Sequence, residues 1–181
     1  MVIEYPAQTD PHERIQQLIQ EYREDPGSSI ILRELGRTYR EISQLDTAQF
    51  YLEQALAVNR HDWEALAILG SIHADKEDYE TALSYYSRAF ELGEELELLS
   101  LVGEALYLLG RYEEAESHLR VTIGLEGSHK LGFSHFLLGK VLCALNHFEE
   151  AFEEFKVAEQ FKKTDEGAEW LKFAKMRMHD T

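Results

Sequence analysis

"GRYEEAESHL" spans Gly110 to Leu119, and its wording returns along the chain. "DYETALSYYSRA" runs from Asp78 to Ala89, "HFEEAFEEFKVA" from His147 to Ala158 and, more loosely, "DTAQFYLEQA" from Asp46 to Ala55. Four glycines set a common register: Gly36, Gly70, Gly103 and Gly139, with steps of 34, 33 and 36. Twelve residues after each stands an alanine (Ala48, Ala82, Ala115, Ala151), and four further on a large apolar residue (Leu52, Tyr86, Leu119, Phe155). Seven after each alanine the chain is small again, at Ala55, Ala89, Thr122 and Ala158.

These offsets have a physical cause. Positions such as Ala48, Leu52 and Ala55 fall at i, i+4, i+7, one face of a helix. A helix-interior glycine costs about 1 kcal/mol relative to alanine. Four at matched positions therefore point to packing, with each glycine and the following alanine on successive helices whose backbones approach closely. All three prolines (Pro6, Pro11, Pro26) lie in the first 26 residues, so nothing after them breaks a helix on proline grounds. The chain reads as all-α.

A helix–turn–helix unit of about 34 residues with this pattern resembles the tetratricopeptide repeat (TPR) family. The resemblance covers roughly Ser29 to Asp165. It implies a right-handed superhelical solenoid of antiparallel helix pairs, with about ten helices. Residues 1–10 then read as a flexible N-terminus and 11–28 as an N-terminal capping helix with Ile15, Leu18, Ile19 and Tyr22 inward. Residues 29–165 form the TPR domain, with repeats 29–62, 63–95, 96–131 and 132–165. Residues 166–181 are a C-terminal capping helix and tail, since terminal repeats need polar covers. The family's tryptophan-type position is filled by Leu32, Leu66, Leu99 and His135, and the long third step predicts a longer turn around "GLEGSHKLG", Gly124 to Gly132.

The resemblance also implies a concave face, lined by the first helix of each repeat, that holds peptides. Its expected lining is Arg33, Arg37 and Arg40 in the first repeat and Ala67, Ile68 and Ser71 in the second. The third offers Ser100, Leu101, Glu104 and Tyr107, and the fourth Phe136 and Lys140. Three arginines on one stripe suit a carboxylate or phosphate. The competing reading pairs Arg37 and Arg40 with Glu34 and Glu41 as a solvated face. The clamp with which one subfamily grips chaperone tails needs lysine and asparagine where this chain has Arg33, Arg37 and Ile68, so that role is rejected.

Composition limits the remaining classes. The 181 residues carry 34 acidic against 18 basic side chains, a formal charge of −16, which disfavours phosphate backbones and anionic membranes. No stretch approaches a membrane span, and no basic, apolar leader opens the chain; a cytoplasmic location is expected. The lone Cys143 excludes an internal disulfide and reads as a small buried hydrophobe. His129, His135 and His147 lack the i, i+4 spacing of a helical zinc site, and His73 reads as structural. No phosphate-binding glycine loop or nucleophile elbow occurs, so neither catalysis nor a cofactor or metal is expected. The expected function is a TPR adaptor or chaperone binding a peptide with acidic and apolar anchors. The alternatives are a self-assembling, homo-oligomeric scaffold and a bacterial secretion-type TPR chaperone. In the adaptor reading, Arg33→Glu with Arg37→Glu abolishes binding and leaves thermal unfolding nearly unchanged.

Overall fold

The structure, a computed structural model, describes residues 10–125 and 132–178. Among these residues it is helical throughout, with no strand. The chain separates into two compact units, Met1–Glu94 and Glu95–Thr181. The division falls between the second and third repeats.

The first unit holds α1 (Pro11–Glu24), α2 (Ser29–Glu41), α3 (Leu45–Val58), α4 (Trp63–Asp75) and α5 (Tyr79–Gly93). Helices α2 and α3 form one hairpin and α4 and α5 the next, while α1 lies along α2 and α3 meets α4. Asp10 is not part of a tail: its carboxylate accepts the His12 N–H at 2.8 Å and caps α1, with Pro11 in the first turn. Ser28, Asp62 and Asp78 cap α2, α4 and α5 in the same way, satisfying donors that a helix start leaves open. The core gathers Leu32, Ala48, Leu52, Ala65, Leu69 and Ile72, with Leu18 of α1 sealing Ile31 and Leu35. Tyr39 stacks on Tyr51 with ring centroids 5.4 Å apart, and Tyr22 meets Tyr51 edge-on.

The second unit holds α6 (Leu96–Leu108), α7 (Tyr112–Leu125), α8 (Gly132–Ala144), α9 (Phe148–Phe161) and α10 (Asp165–Arg177). Pairs α6–α7 and α8–α9 repeat the hairpin, and α10 packs on α9. Leu119, Leu137, Leu138, Leu142 and Phe155 are fully buried here. Residues 1–9 and the turn expected to be longer, 126–131 with His129, lie outside the described residues.

At each register glycine the nearest neighbour is the large residue four beyond the alanine, and at Gly36 the Ala48 backbone comes close as well. A Cβ on Gly36 would stand 2.5 Å from Leu52 Cγ; on Gly70, 2.7 Å from the Tyr86 ring; on Gly103, 2.5 Å from Leu119; on Gly139, 2.6 Å from Phe155. Each glycine is a socket for one side chain of the partner helix. A second periodic device was not read from the sequence. Ser43, Glu77, Gly110 and Asn146, each seven residues after a register glycine, all have positive φ (60°, 62°, 73° and 65°). The following N–H reaches back five residues in every case: Gln44 to Tyr39 O, Asp78 to His73 O, Arg111 to Leu106 O and His147 to Leu142 O. This is the left-handed helix ending that satisfies otherwise orphaned carbonyls.

Candidate functional site

In the first unit α2 and α4 lie side by side, and the three predicted arginines bridge them. Arg33 Nη1 donates to both oxygens of Asp62, at 3.0 and 2.8 Å. Asp62 is at the same time the N-cap of α4, accepting the Ala65 N–H at 3.0 Å. The pair is withdrawn from solvent, with side chains 17% and 3% exposed. Arg37 reaches Glu64 at 3.1 Å and Glu34 at 3.5 Å. Arg40 clasps Asp75 through Nε at 2.7 Å and Nη2 at 3.2 Å. Glu41, the partner foreseen for Arg40, is paired instead with Arg14 of α1.

Beside this ladder lies a groove of about 700 Å³, lined by Arg37, Arg40, Trp63, Glu64, Ala67 and Ile68 with Glu41 and Asp75 at its edge. Structure thus brings Arg37, Arg40, Ala67 and Ile68 to one surface. Arg33 serves the α2–α4 packing rather than an open face, so the expectation that its reversal leaves stability unchanged fails on geometry. Arg33→Glu would set a fourth carboxylate among Asp62, Glu64 and Glu34. Ser71 is half-buried and donates to Ala67 O at 3.1 Å. Trp63, Asp62 and Asp75 were missed. The signal that finds the last two is an acid about one repeat beyond each arginine, since equivalent positions of neighbouring first helices meet.

The second unit's predicted residues divide similarly. Ser100 is buried and hydrogen-bonded to Ser134 at 2.7 Å, one repeat away. Leu101 is half-buried. Glu104 is half-buried too, and burial pushes its carboxyl above the ordinary value while Lys140's charge opposes the rise. Tyr107 and Phe136 both approach Lys140, and Phe136 also packs on Phe155 at 5.7 Å. Burial likewise raises the Tyr107 hydroxyl and lifts Cys143 to about 11, so the thiol is a packed hydrophobe. His73 stacks on Tyr85 and meets Asp78, and His135 binds Glu154 at 2.6 Å. Among the described residues no group of three or more histidine, cysteine or acidic side chains converges as metal ligands would. Likewise among them, no helix is long and apolar enough to cross a membrane.

Four glycine-socketed helix pairs in one register, closed by matching left-handed turns, define a tetratricopeptide-repeat protein. A family model, "Anaphase-promoting complex, cyclosome, subunit 3", matches residues 41–122. BBSome complex member BBS4 of Bos taurus is 32% identical over 128 residues, covering 70% of this chain and 24% of that protein. The chain spans about a quarter or less of the length of the curated relatives it matches. Among solved structures, MamA is similar with a TM-score of 0.72 and 23% identity, over 84% of this chain and 89% of that one. YrrB, described as a TPR protein with an unusual peptide-binding site, has a TM-score of 0.69 and 19% identity, over 82% and 76%. At these identities the structural likeness establishes the fold.

Proposed function

We propose that this chain is a non-catalytic, cytoplasmic protein-interaction module that holds a partner segment in the groove on α2 and α4. The observation that carries the reading is the groove's make-up: an apolar floor of Trp63, Ala67 and Ile68 beside two arginines. Arg37 and Arg40 remain 43% and 37% exposed. Arg40 uses Nε and Nη2 on Asp75, leaving Nη1 for a ligand. Exposed ion pairs are worth about 0–1 kcal/mol, so a partner carboxylate can join or replace them at little cost. The groove therefore suits a peptide with an acidic group and apolar anchors. The peptide-binding description of YrrB supports the same use of the fold, and the net charge of −16 argues against nucleic acid.

Selection from a phage-displayed random dodecapeptide library tests this, with the Arg37→Gln/Arg40→Gln variant as counter-target. The expected consensus carries Asp or Glu beside two or more apolar residues and binds the variant at least ten-fold more weakly. A consensus without acids, or one that the variant binds equally well, refutes the reading.

A further inference from the structure

The second unit carries a feature of a different kind. Lys140 runs from α8 into a recess walled by rings from three helices. Its Nζ lies 5.1 Å from the ring centroid of Tyr107 on α6, 5.6 Å from Phe136 on α8 and 5.7 Å from Trp170 on α10. Ring faces within about 6 Å attract a cation, most strongly when water is excluded. Here the side chain is only 20% exposed, and its ion pair is with Glu166, 3.7 Å away on a carboxylate that is 61% exposed. An ammonium has three hydrogen-bond donors, and among the described residues this one has no acceptor within hydrogen-bond distance. Glu104, one turn before Tyr107 on α6, is half-buried and likewise without a hydrogen-bond partner among the described residues. The recess therefore holds a cation by its rings and surrounding carboxylates, while nothing directional fixes which cation it holds.

We propose that this recess is a recognition site for a basic side chain of a partner protein, and that Lys140 is its internal stand-in. When the partner's cation enters, Lys140 swings out on its flexible stem. Charge complementarity selects this occupant: the chain carries 16 more acidic than basic groups, and such a surplus steers basic segments toward it. Arginine fits best, because a guanidinium lies flat on an aromatic face and grips a carboxylate through two donors. Glu104, close enough to Lys140 for their charges to interact, supplies that carboxylate.

The test follows the Trp170 indole N–H resonance, distinguished from that of Trp63 by Trp63→Phe. The probes are blocked Leu-Arg-Leu tripeptide and its Gln- and Glu-centred analogues. The arginine peptide is expected to shift Trp170 saturably and in preference to both analogues. Lys140→Met, which keeps the stem and removes the competing charge, is expected to tighten it on the order of ten-fold. Glu104→Gln, which leaves Lys140 and the rings in place, is expected to weaken it by a similar factor and serves if Lys140→Met is poorly folded. The Arg37→Gln/Arg40→Gln variant is expected to bind it like wild type, which separates this site from the α2–α4 groove. Preference for the glutamate peptide with loss in Lys140→Met overturns the proposal, as does a Trp170 signal that none of the three peptides moves.

Discussion

Arg33→Met isolates what the α2–α4 ladder contributes. In the native protein one guanidinium nitrogen serves both oxygens of a carboxylate that is 3% exposed, while Nε faces Glu64 at 3.1 Å. Removing it leaves Asp62 buried and uncompensated, with Glu34 and Glu64 adding repulsion. Breaking a buried pair on one side costs about 3–5 kcal/mol; since Arg33 retains some solvent, the lower end, about 3 kcal/mol, is expected. Asp62→Asn removes the charge but keeps a side-chain oxygen for the Ala65 N–H, and Asn caps helices about as well as Asp. Arg33 then still has Glu64, so this change costs about 1–2 kcal/mol. The double variant contains no unpaired charge at this spot and is expected to cost about 1–2 kcal/mol as well, a coupling of roughly 3 kcal/mol. Urea unfolding followed by far-UV circular dichroism measures all four corners of the cycle. A loss below 1 kcal/mol for Arg33→Met, or additivity across the cycle, refutes the view that this arginine is committed to holding two repeats together.

Four further outcomes follow from the packing. Gly36→Ala places a methyl 2.5 Å from Leu52 Cγ and 3.1 Å from the Ala48 carbonyl, and overpacking of about 1–3 kcal/mol outweighs the roughly 1 kcal/mol helix gain. Gly124→Ala, with nothing within 4 Å, is expected to shift Tm upward, so two stabilised variants would contradict the socket model. Glu77→Gly relieves a left-handed non-glycine residue at φ 62° and is expected to stabilise by about 1 kcal/mol, read as a higher urea midpoint. Burial lowers the His118 imidazole below its ordinary 6.5 while its Nε2 meets the Leu99 carbonyl at 3.0 Å. Its contribution to stability is therefore complete above about pH 6.5 and declines as pH falls toward the folded value; His118→Gln is expected to lose less Tm than wild type between pH 7 and 5.

The repeat was legible because glycine, alanine and a large apolar residue return at fixed offsets, and each offset corresponds to one contact between neighbouring helices. What glycine does there was only half legible: spacing shows that something must come close, but whether it is Ala48 or Leu52 depends on the rotation of α3 about its axis. The left-handed turns were hidden because Ser43 and Glu77 carry no composition signal, and only Gly110 and Asn146 are residues that favour positive φ. The arginine stripe was visible, yet its partners one repeat away were not. Asp62, Glu64 and Asp75 lie 29, 27 and 35 residues from Arg33, Arg37 and Arg40, so local pairing rules for one helix find Glu34 for Arg37 but miss the acids of the next repeat.

That difference bears on how a binding face is recognised in a repeat protein. A charged stripe on a first helix faces both the open surface and the next first helix, and acids one repeat away compete for it. Burial separates the two uses. Arg33, at 17% exposure on a 3% exposed partner, is spent on packing, whereas Arg40 and Asp75, at 37% and 41%, are held by a pair that solvent screens. Lys140 is a third case: buried like Arg33, but with rings rather than hydrogen bonds around its charge. Hydrogen bonds fix a geometry, while ring faces stabilise any cation that reaches them. A buried charge held without direction is therefore the kind that a partner can replace, and a buried charge held with direction is the kind that only unfolding releases.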